Sequence, residues 1–397
     1  MPRLEALSEA QRNMMLNWPC PDNDDTPWTT MGRPLSASKV AMVTTSGIHL
    51  RKDAPFRSLK GGDTSYRIIP RDSDPANIIQ SHTSIGFDRT TSYRDINITF
   101  PVDRLEELVQ SGYIGELSDN YYSYMGAIND VTGLIEDSGP EVATKLLAED
   151  VDVVLLVPTC PACSNAVSVL ARVYEDMGLV TTGLVLIEEH AKRVKPPRML
   201  SVPFNFGNTL GRPNDPEFQH EILKTTFDLL DRHEGPVLES FSSNIAPELF
   251  SQGSGVPRQR SAVVTDPGQE LGLRRPFYER WVQQNGGRTA VGLSTISQTD
   301  FKLVIKFLED FIEDEEFDTP IRPNQFSVAH FIRYCVDDLK AYYFESKMSE
   351  DAEMSIAQLH EWLWAETALG SLIMRLAERM RSDDNNEVKA VAFGIAR

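Results

Sequence analysis

The stretch Val151-Asp-Val-Val-Leu-Leu-Val157, followed by Pro158-Thr-Cys-Pro-Ala-Cys163, decides the fold class of this chain. Its first part is an almost uninterrupted run of β-branched and apolar residues, which is typical of a parallel strand covered on both faces. From Cys163 to Met177 apolar residues recur at helical spacing, and Gly178 provides a stop signal. The stretch therefore predicts a central strand, a short turn that carries two cysteines, and a helix.

The segments on either side repeat the alternation of strand and helix. Further strands are predicted over 39–47, 95–100, 182–187 and 199–203. Helices are predicted over 101–111, 141–148 and 216–231. This order indicates an α/β fold with a doubly wound, flavodoxin- or Rossmann-like, mostly parallel sheet, built as one body or as two such halves split near residue 140.

Composition divides the chain into four segments. Proline, aspartate and threonine dominate an N-terminal arm at 1–38, and the α/β domain with the cysteine pair spans 39–240. A polar connector follows at 241–299. The remainder, 300–397, is a helical region, with helical patterns over 300–312, 326–344 and 355–380.

Net charge and the lack of long apolar stretches narrow the class of protein. A net charge of -19 argues against nucleic-acid or anionic-membrane partners, because both are bound by clustered Lys and Arg. The start of the chain lacks the apolar core of a signal peptide, and no stretch approaches the roughly 18 apolar residues that cross a bilayer. We therefore expect a soluble, cytoplasmic protein that acts on small molecules or other proteins and that forms a homo-oligomer, most simply a homodimer.

Cys160 and Cys163 are the candidate reactive groups. A CxxC pair at a strand-to-helix turn suits thiol chemistry, because the N-H groups and positive dipole at the helix start lower a thiol pKa. Thr159 or Cys160 is expected to cap the helix. We expect Cys160 to be the exposed nucleophile, and Cys163 to resolve its adducts by forming a redox-active disulfide.

No other cofactor is predicted, since no G-x-G-x-x-G turn opens a helix after a strand. Two alternatives for the pair stay open: both cysteines could be small core residues, or they could ligate a metal together with His82. Cys20 and Cys335 are expected to be inert core residues.

A set of further motifs accompanies the cysteine stretch in a fixed order. These are His82-Thr-Ser-Ile-Gly-Phe-Asp88, Asp95-Ile-Asn-Ile-Thr-Phe-Pro-Val-Asp-Arg-Leu-Glu-Glu-Leu108, Pro196-Pro-Arg198, Gly207-Asn-Thr-Leu-Gly-Arg-Pro213 and Gln219. Together with Val151 to Val180 they resemble the selenoprotein B subunits of glycine, sarcosine and betaine reductase and the related D-proline reductase proteins. The resemblance covers residues 39 to 240.

The resemblance implies a catalytic cycle. In the proteins of that family, a selenocysteine lies three positions before the first cysteine of the pair. It attacks carbon and displaces an amine, and downstream thiols then release the carbon group reductively. This chain has Val157 at that position, so Cys160 is the nearby replacement. The resemblance also favours His82 as a proton donor to the leaving amine and gives Asp88 and Arg104 a part in binding substrate.

Small residues after the first strand complete the expected site. Thr45, Ser46 and Gly47 end that strand as Pro158 and Thr159 end the central one, so the two loops should face each other. Their backbone N-H groups could bind a carboxylate.

The sequence therefore favours a thiol-dependent oxidoreductase that acts on a carbon-heteroatom bond, most simply carbon-nitrogen, of a small polar substrate. Small thiols or a thioredoxin-like donor would reduce the pair again. The two alternatives are a metal-binding protein or metalloenzyme using Cys160, Cys163 and His82, and a noncatalytic subunit of a reductase complex.

Overall fold

In a computed structural model the chain divides into two compact units, the first formed by 1–74 and 80–252 and the second by 75–79 and 253–397. Part of the predicted connector, and residues 83 and 85–87 of the predicted histidine loop, lie outside the described residues. The structure describes residues 7–57, 61–82, 84, 88–242, 265–313 and 321–396.

Strands are concentrated in the first unit. In chain order they are β1 (Lys39–Thr44), β2 (Ile48–Leu50), β3 (Tyr66–Pro70), β4 (Ile78–Gln80), β5 (Glu116–Leu117), β6 (Asn120–Tyr124), β7 (Val153–Val157), β8 (Val180–Val185), β9 (Arg198–Ser201) and β10 (Val237–Ser240). The main sheet has the order β10-β9-β8-β7-β1-β6-β3, and β5 also pairs with β1. Its pairings are parallel except for the edge pair β3–β6, which is antiparallel.

Helices follow the strands of the first unit and make up most of the second. In the first unit they are α1 (Glu9–Leu16), α2 (Thr90–Arg94), α3 (Val102–Gln110), α4 (Gly139–Ala148), α5 (Cys163–Asp176), α6 (Glu188–Val194) and α7 (Pro216–Asp228). In the second they are α8 (Pro267–Gln284), α9 (Phe301–Glu313), α10 (Val328–Glu350), α11 (Ile356–Glu366), α12 (Ala368–Arg381) and α13 (Asn386–Ile395). The predicted α/β fold with a mostly parallel sheet and a C-terminal helical region is confirmed. The doubly wound arrangement stays a prediction.

The central strand and its neighbour bring two loops together. All five residues of β7 are fully buried, as its apolar sequence predicts. β7 pairs in parallel with β1 in the register that sets Thr44 beside Val157, so both strands end at the same level. The loops after Thr44 and after Val157 therefore start side by side, and the backbone N-H of Thr45 donates to the Val157 carbonyl at 3.0 Å.

The prediction of a strand over 95–100 is wrong. Residues Ile96–Ile98 form a short 3-10 helix, because the side chain of Asp95 accepts the backbone N-H of Asn97 at 2.9 Å and caps the turn. The other carboxylate oxygen accepts Gln219 Nε2 at 2.7 Å. An aspartate that bonds to the backbone two residues ahead favours a turn over a strand, despite the alternating pattern that follows it.

The segment after α1 lies along α5, α6 and β9. Arg198, on β9, donates to the Thr29 carbonyl at 2.8 Å, and its guanidinium lies 3.5 Å from the centroid of the Trp28 ring. The same guanidinium forms an ion pair with Glu175 at 2.7 Å, and the side chains are 1% and 0% exposed. Buried charges need such pairing, so this contact anchors the segment to the sheet.

The second unit contains a buried carboxylate that organises a loop. Asp338, on α10, accepts the backbone N-H groups of Gly292, Leu293 and Ser294 at 2.8 to 2.9 Å and the Ser294 hydroxyl at 2.5 Å. Burial raises the pKa of Asp338 to about 6. None of the helices in the described part of the chain has the length and apolar character needed to cross a membrane.

Candidate active site

Cys160 and Cys163 lie in the turn between β7 and α5, and their sulfurs are 2.6 Å apart. The backbone N-H of Cys163 donates to the Cys160 carbonyl at 3.1 Å, and the backbone N-H of Cys160 donates to Cys163 Sγ at 3.0 Å. The helix begins without a side-chain cap, so the predicted capping by Thr159 or Cys160 is wrong. Sulfurs this close need only a small approach to reach the disulfide length of about 2.05 Å.

His82 brings an imidazole to the thiol pair. Its Nε2 lies 3.5 Å from Cys163 Sγ, and its Nδ1 accepts the backbone N-H of Ser84 at 3.0 Å. A ring nitrogen that accepts a hydrogen bond carries no proton, so the proton of the neutral imidazole is on Nε2. His82 therefore donates to the Cys163 sulfur and stabilises negative charge on it. This role differs from the predicted donation of a proton to a leaving amine, which would take the only ring proton.

The two thiols differ in acidity. Burial alone would raise the pKa of Cys163, but hydrogen bonds from Cys160 and His82 outweigh burial and hold this pKa well below its usual value. Burial raises the pKa of Cys160 well above its usual value, and the hydrogen bond and charge of Cys163 add to the effect. The two pKa values are therefore shifted in opposite directions, and Cys163 is the member of the pair that ionises first.

Both cysteines are enclosed by the protein. Cys160 and Cys163 are each 0% exposed, so the expectation that Cys160 is exposed is wrong. The pattern around the cysteines does not reveal the residues that cover this turn: among the described residues, Trp18 and Ala127 pack against the buried cluster of Cys160, Ala162 and Cys163. A reagent or substrate can reach either sulfur only if part of this cover moves.

The loop after β1 lies against the cysteine pair, as expected. Its backbone N-H groups are not free to bind an anion. The N-H of Thr45 donates to Val157, that of Ser46 to the Thr44 hydroxyl at 3.2 Å, and that of Gly47 to the Tyr124 carbonyl at 2.9 Å. All three groups expected to hold a carboxylate are therefore engaged within the protein. The Thr45 carbonyl lies 3.5 Å from Cys163 Sγ, and a hydrogen bond from the Thr45 side chain helps to lower the pKa of Cys163.

Two glycines allow the close approach of these segments. Gly126 has a φ of +78°, and a Cβ there would lie 2.6 Å from both Cys163 Sγ and Thr45 Cβ. Gly47 has a φ of +67°, and its Cβ would lie 2.9 Å from the His82 Cα. Both positions need the backbone freedom and the missing side chain of glycine.

Sequence reasoning missed three contributors: Gly126, Ser84 and Trp18. Gly126 follows the end of β6, a neighbour of β1, so its place after a strand was the available signal. Ser84 bonds to both His82 and Cys160, and its hydrogen bond lowers the pKa of Cys160 against the larger effect of burial. No sequence signal connects Trp18 with the cysteines.

Asp88 and Arg104, expected to bind substrate, have contacts near their own helices. Asp88 Oδ1 accepts the backbone N-H of Thr90 at 2.8 Å, at the start of α2. Arg104 forms an ion pair with Glu107 at 2.9 Å, one turn further along α3. The structure therefore brings His82 and the Thr45 loop to the cysteines and gives Asp88 and Arg104 local structural contacts.

One atom each of His82, Cys160 and Cys163 lies within 4.8 Å of the others, as ligands of one metal ion would. Two features disfavour that arrangement. Two thiolates bound tetrahedrally at about 2.3 Å would be about 3.8 Å apart, whereas these sulfurs are separated by 2.6 Å. The Nε2 that faces the sulfurs also carries the proton. A histidine that binds a metal coordinates it through an unprotonated ring nitrogen and donates an N-H hydrogen bond from the other one.

Val157, the position the resemblance gives to a selenocysteine, lies outside this cluster. It is the last residue of β7, fully buried, and paired with Thr44 of β1. Cys160 is the first sulfur-bearing position after the strand and the one in contact with Cys163.

The fold and the site define an α/β protein with a buried, histidine-supported thiol pair. In a comparison with known sequences, the family described as glycine/sarcosine/betaine reductase selenoprotein B matches residues 9–159. The D-proline reductase subunit gamma of Acetoanaerobium sticklandii is 32% identical over 195 residues, which are 49% of this chain and 79% of that protein. The chain belongs to this family of selenoprotein B and D-proline reductase proteins.

Other relatives are longer. The sarcosine reductase complex component B subunit beta of Peptoclostridium acidaminophilum is 27% identical over 52% of this chain and 48% of its own length. The glycine reductase complex component B subunit gamma of Carboxydothermus hydrogenoformans is 28% identical over 49% of this chain and 46% of its own. The chain thus spans about half the length of these two relatives, which are components of amino acid reductase complexes. No solved structure matches the chain.

Proposed function

We propose that this chain is a thiol-dependent reductase that cleaves a carbon-nitrogen bond of a small polar substrate, with Cys160 and Cys163 supplying the two electrons. The observation that carries the proposal is the 2.6 Å separation of the two sulfurs, and the lowered pKa of Cys163 beside the raised pKa of Cys160 supports it. Such a pair holds a nucleophile and its resolving thiolate in one turn. The relatives named above support a reductase.

The first step uses the charge already present on Cys163. Its thiolate takes the proton of Cys160, and the Cys160 thiolate attacks the carbon that bears the amine. The carbon-nitrogen bond breaks as the carbon-sulfur bond forms, and the amine leaves with the proton returned by Cys163. The pair is then a thioether on Cys160 beside a Cys163 thiolate.

The second step releases the carbon group. Cys163 attacks the Cys160 sulfur, so the sulfur-sulfur bond forms while the carbon-sulfur bond breaks, and the carbon keeps the electron pair and takes a proton from solvent. A carbon next to a carbonyl or carboxyl group stabilises that charge. Both sulfurs are oxidised by one electron each. A dithiol, thioredoxin-like or small, restores the pair by exchange.

Cys160 takes the place of the selenocysteine in this scheme. Its position in the sulfur cluster favours it over Val157, whose side chain belongs to the buried end of β7. His82 lowers the pKa of Cys163 through its Nε2-H, and the Thr45 hydroxyl is a further hydrogen-bonding group beside the sulfurs. Because the relatives are complex components, we expect further protein components to act with this chain.

A metal site is the second candidate, favoured by the clustering of His82, Cys160 and Cys163. It requires the sulfurs to separate by about 1.2 Å from their present distance and the imidazole to change tautomer. Metal analysis of protein purified without added metal tests it. A stoichiometric metal that is lost from both Cys160→Ser and Cys163→Ser would favour this candidate over the reductase.

A single-turnover experiment tests the reductase. Reduced protein is treated with a chelator, freed of thiol and mixed with a panel of small amines and amino acids that includes glycine, sarcosine, betaine and D-proline. We expect two thiols lost for each carbon-nitrogen bond cleaved, detected as a released amine or, for D-proline, as the ring-opened amino acid. Cys335→Ala, a change in the second unit, should behave as the wild type does, and Cys160→Ser should release nothing. Cleavage of a carbon-nitrogen bond by Cys160→Ser, or no cleavage of any compound by the wild type, would contradict the proposal.

A further inference from the structure

An aromatic side chain from a remote segment packs against the buried cluster that contains the thiol pair of the proposed function. Both cysteines are 0% exposed, and, among the described residues, Trp18 and Ala127 are the partly buried apolar residues packed against the cluster of Cys160, Ala162 and Cys163. Trp18 lies 142 positions before Cys160 in the chain. Its side chain therefore forms part of the cover of this cluster.

The backbone around Trp18 is held firmly. Arg193 donates to the Trp18 carbonyl at 3.0 Å and to the Cys20 carbonyl at 2.7 Å. Asn165, on the same helix as Cys163, donates to the Pro19 carbonyl at 3.2 Å. The segment is thus fixed to α5 and α6 through its main chain.

The indole itself is held less firmly than its backbone. Its Nε1-H donates to the Ile128 carbonyl at 3.3 Å, and the side chain remains partly exposed. A rotation about the side-chain torsions of Trp18 would break one long hydrogen bond and the apolar packing of the indole against the core, and would leave the three backbone anchors intact. Opening the thiol pair therefore does not require the segment to detach.

We propose that Trp18 is the gate of the thiol pair and a specificity-determining residue of the site: its indole swings aside to admit small polar molecules to Cys160 and Cys163 and excludes bulkier ones. The gate gives the proposed function its selectivity, but access to the sulfurs can be measured whether or not the reductase chemistry occurs.

The test is the rate at which iodoacetamide alkylates the pair in the reduced, full-length chain, resolved by peptide mass. Removal of the cover in Trp18→Ala should raise this rate by at least about tenfold, because no opening step precedes the reaction. Trp18→Phe keeps an aromatic cover but loses the Nε1 hydrogen bond, so a rise of about fivefold is expected, equivalent to one ordinary hydrogen bond. The matched control is Trp28→Phe, on the same segment but stacked on Arg198, which should leave the rate unchanged.

Labelling of the fully buried Cys335 in the same sample reports unfolding. If Trp18→Ala labels Cys335 as well, the milder Trp18→Phe decides the question. Rates within twofold of the wild type in Trp18→Phe and in any Trp18→Ala that stays folded would overturn the gate. An equal acceleration by Trp28→Phe would overturn it too, since the whole segment rather than the indole would then control access.

Discussion

The Nε2 of His82 lies 3.5 Å from Cys163 Sγ and carries the ring proton, because the Nδ1 on the other side of the ring accepts the N-H of Ser84. The imidazole thus donates to the Cys163 sulfur in a fully enclosed site. This relationship lowers the pKa of Cys163 and supports the proposal that the pair holds both a nucleophile and its resolving group.

The ionised thiol should be visible in the ultraviolet absorbance of the thiolate near 240 nm. Because the pKa of Cys163 is held well below its usual value, the absorbance should persist when the pH falls well below 8 and disappear only at the lowered pKa. The contribution of ionised Cys163 to the free energy of unfolding is present above the ordinary thiol pKa. It is lost as the pH falls through the pKa of Cys163 in the folded protein. His82→Ala should raise the midpoint by about one pH unit, the equivalent of one hydrogen bond.

Cys163→Ser is the control for this titration and should abolish the acidic step, while Cys335→Ala should leave it in place. A midpoint near that of an ordinary cysteine in the wild type would show that Cys163 is a thiol and not a thiolate at neutral pH.

Gly126→Ala should displace the Cys163 sulfur. The new Cβ would lie 2.6 Å from Cys163 Sγ and from Thr45 Cβ, closer than these atoms can pack. We expect the acidic thiolate step to shift upward and single-turnover activity to be lost. Gly112→Ala is the matched control, since Gly112 has a φ of +74° and no atom within 4 Å of its Cβ position. Equal effects of the two substitutions would trace the loss to backbone strain and not to the sulfur.

Much of the first unit could be predicted from local sequence. The run before Val157 and the helical spacing after Cys163 each contain their own signal, so β7 and α5 are close to their predicted bounds. The segment at Asp95 could not be predicted in the same way. Its alternating pattern favours a strand, but Asp95 accepts hydrogen bonds from Asn97 and from Gln219, more than a hundred residues away, and these bonds stabilise a turn.

The site was predictable only where its residues follow strands. Cys160, Cys163 and the Thr45 loop come after neighbouring parallel strands, and such ends meet at one edge of a sheet. The exposure of Cys160 was predicted wrongly because burial depends on residues remote in sequence, such as Trp18, which packs against the cysteine cluster and whose segment is bound to α5 and α6. The acidity of the pair depends likewise on which ring nitrogen of His82 carries the proton, and only the contact with Ser84 reveals that.

Arg198→Ala should destabilise the first unit by about 3 to 5 kcal/mol, because it leaves the carboxylate of Glu175 buried without its partner. Burial already raises the pKa of Glu175, so its protonation relieves the cost and the loss should shrink as the pH falls. Urea unfolding at several pH values measures both effects. The control is Arg232→Ala, which breaks the exposed pair with Glu239 and should cost less than about 1 kcal/mol. Similar losses for both variants would rule out the buried pair as an anchor.

The most direct test of the thiol mechanism is the intact mass of Cys163→Ser and Cys160→Ser after exposure to candidate amines and amino acids. The incubation is run at alkaline pH, because Cys163→Ser also removes the group that accepts the proton of Cys160. We predict that Cys163→Ser accumulates a covalent adduct on Cys160, which added dithiol releases, and that Cys160→Ser shows none. Equal behaviour of the two variants would contradict the account: a shared loss of metal would indicate ligands of one ion, and the absence of any effect in either variant would indicate a noncatalytic subunit.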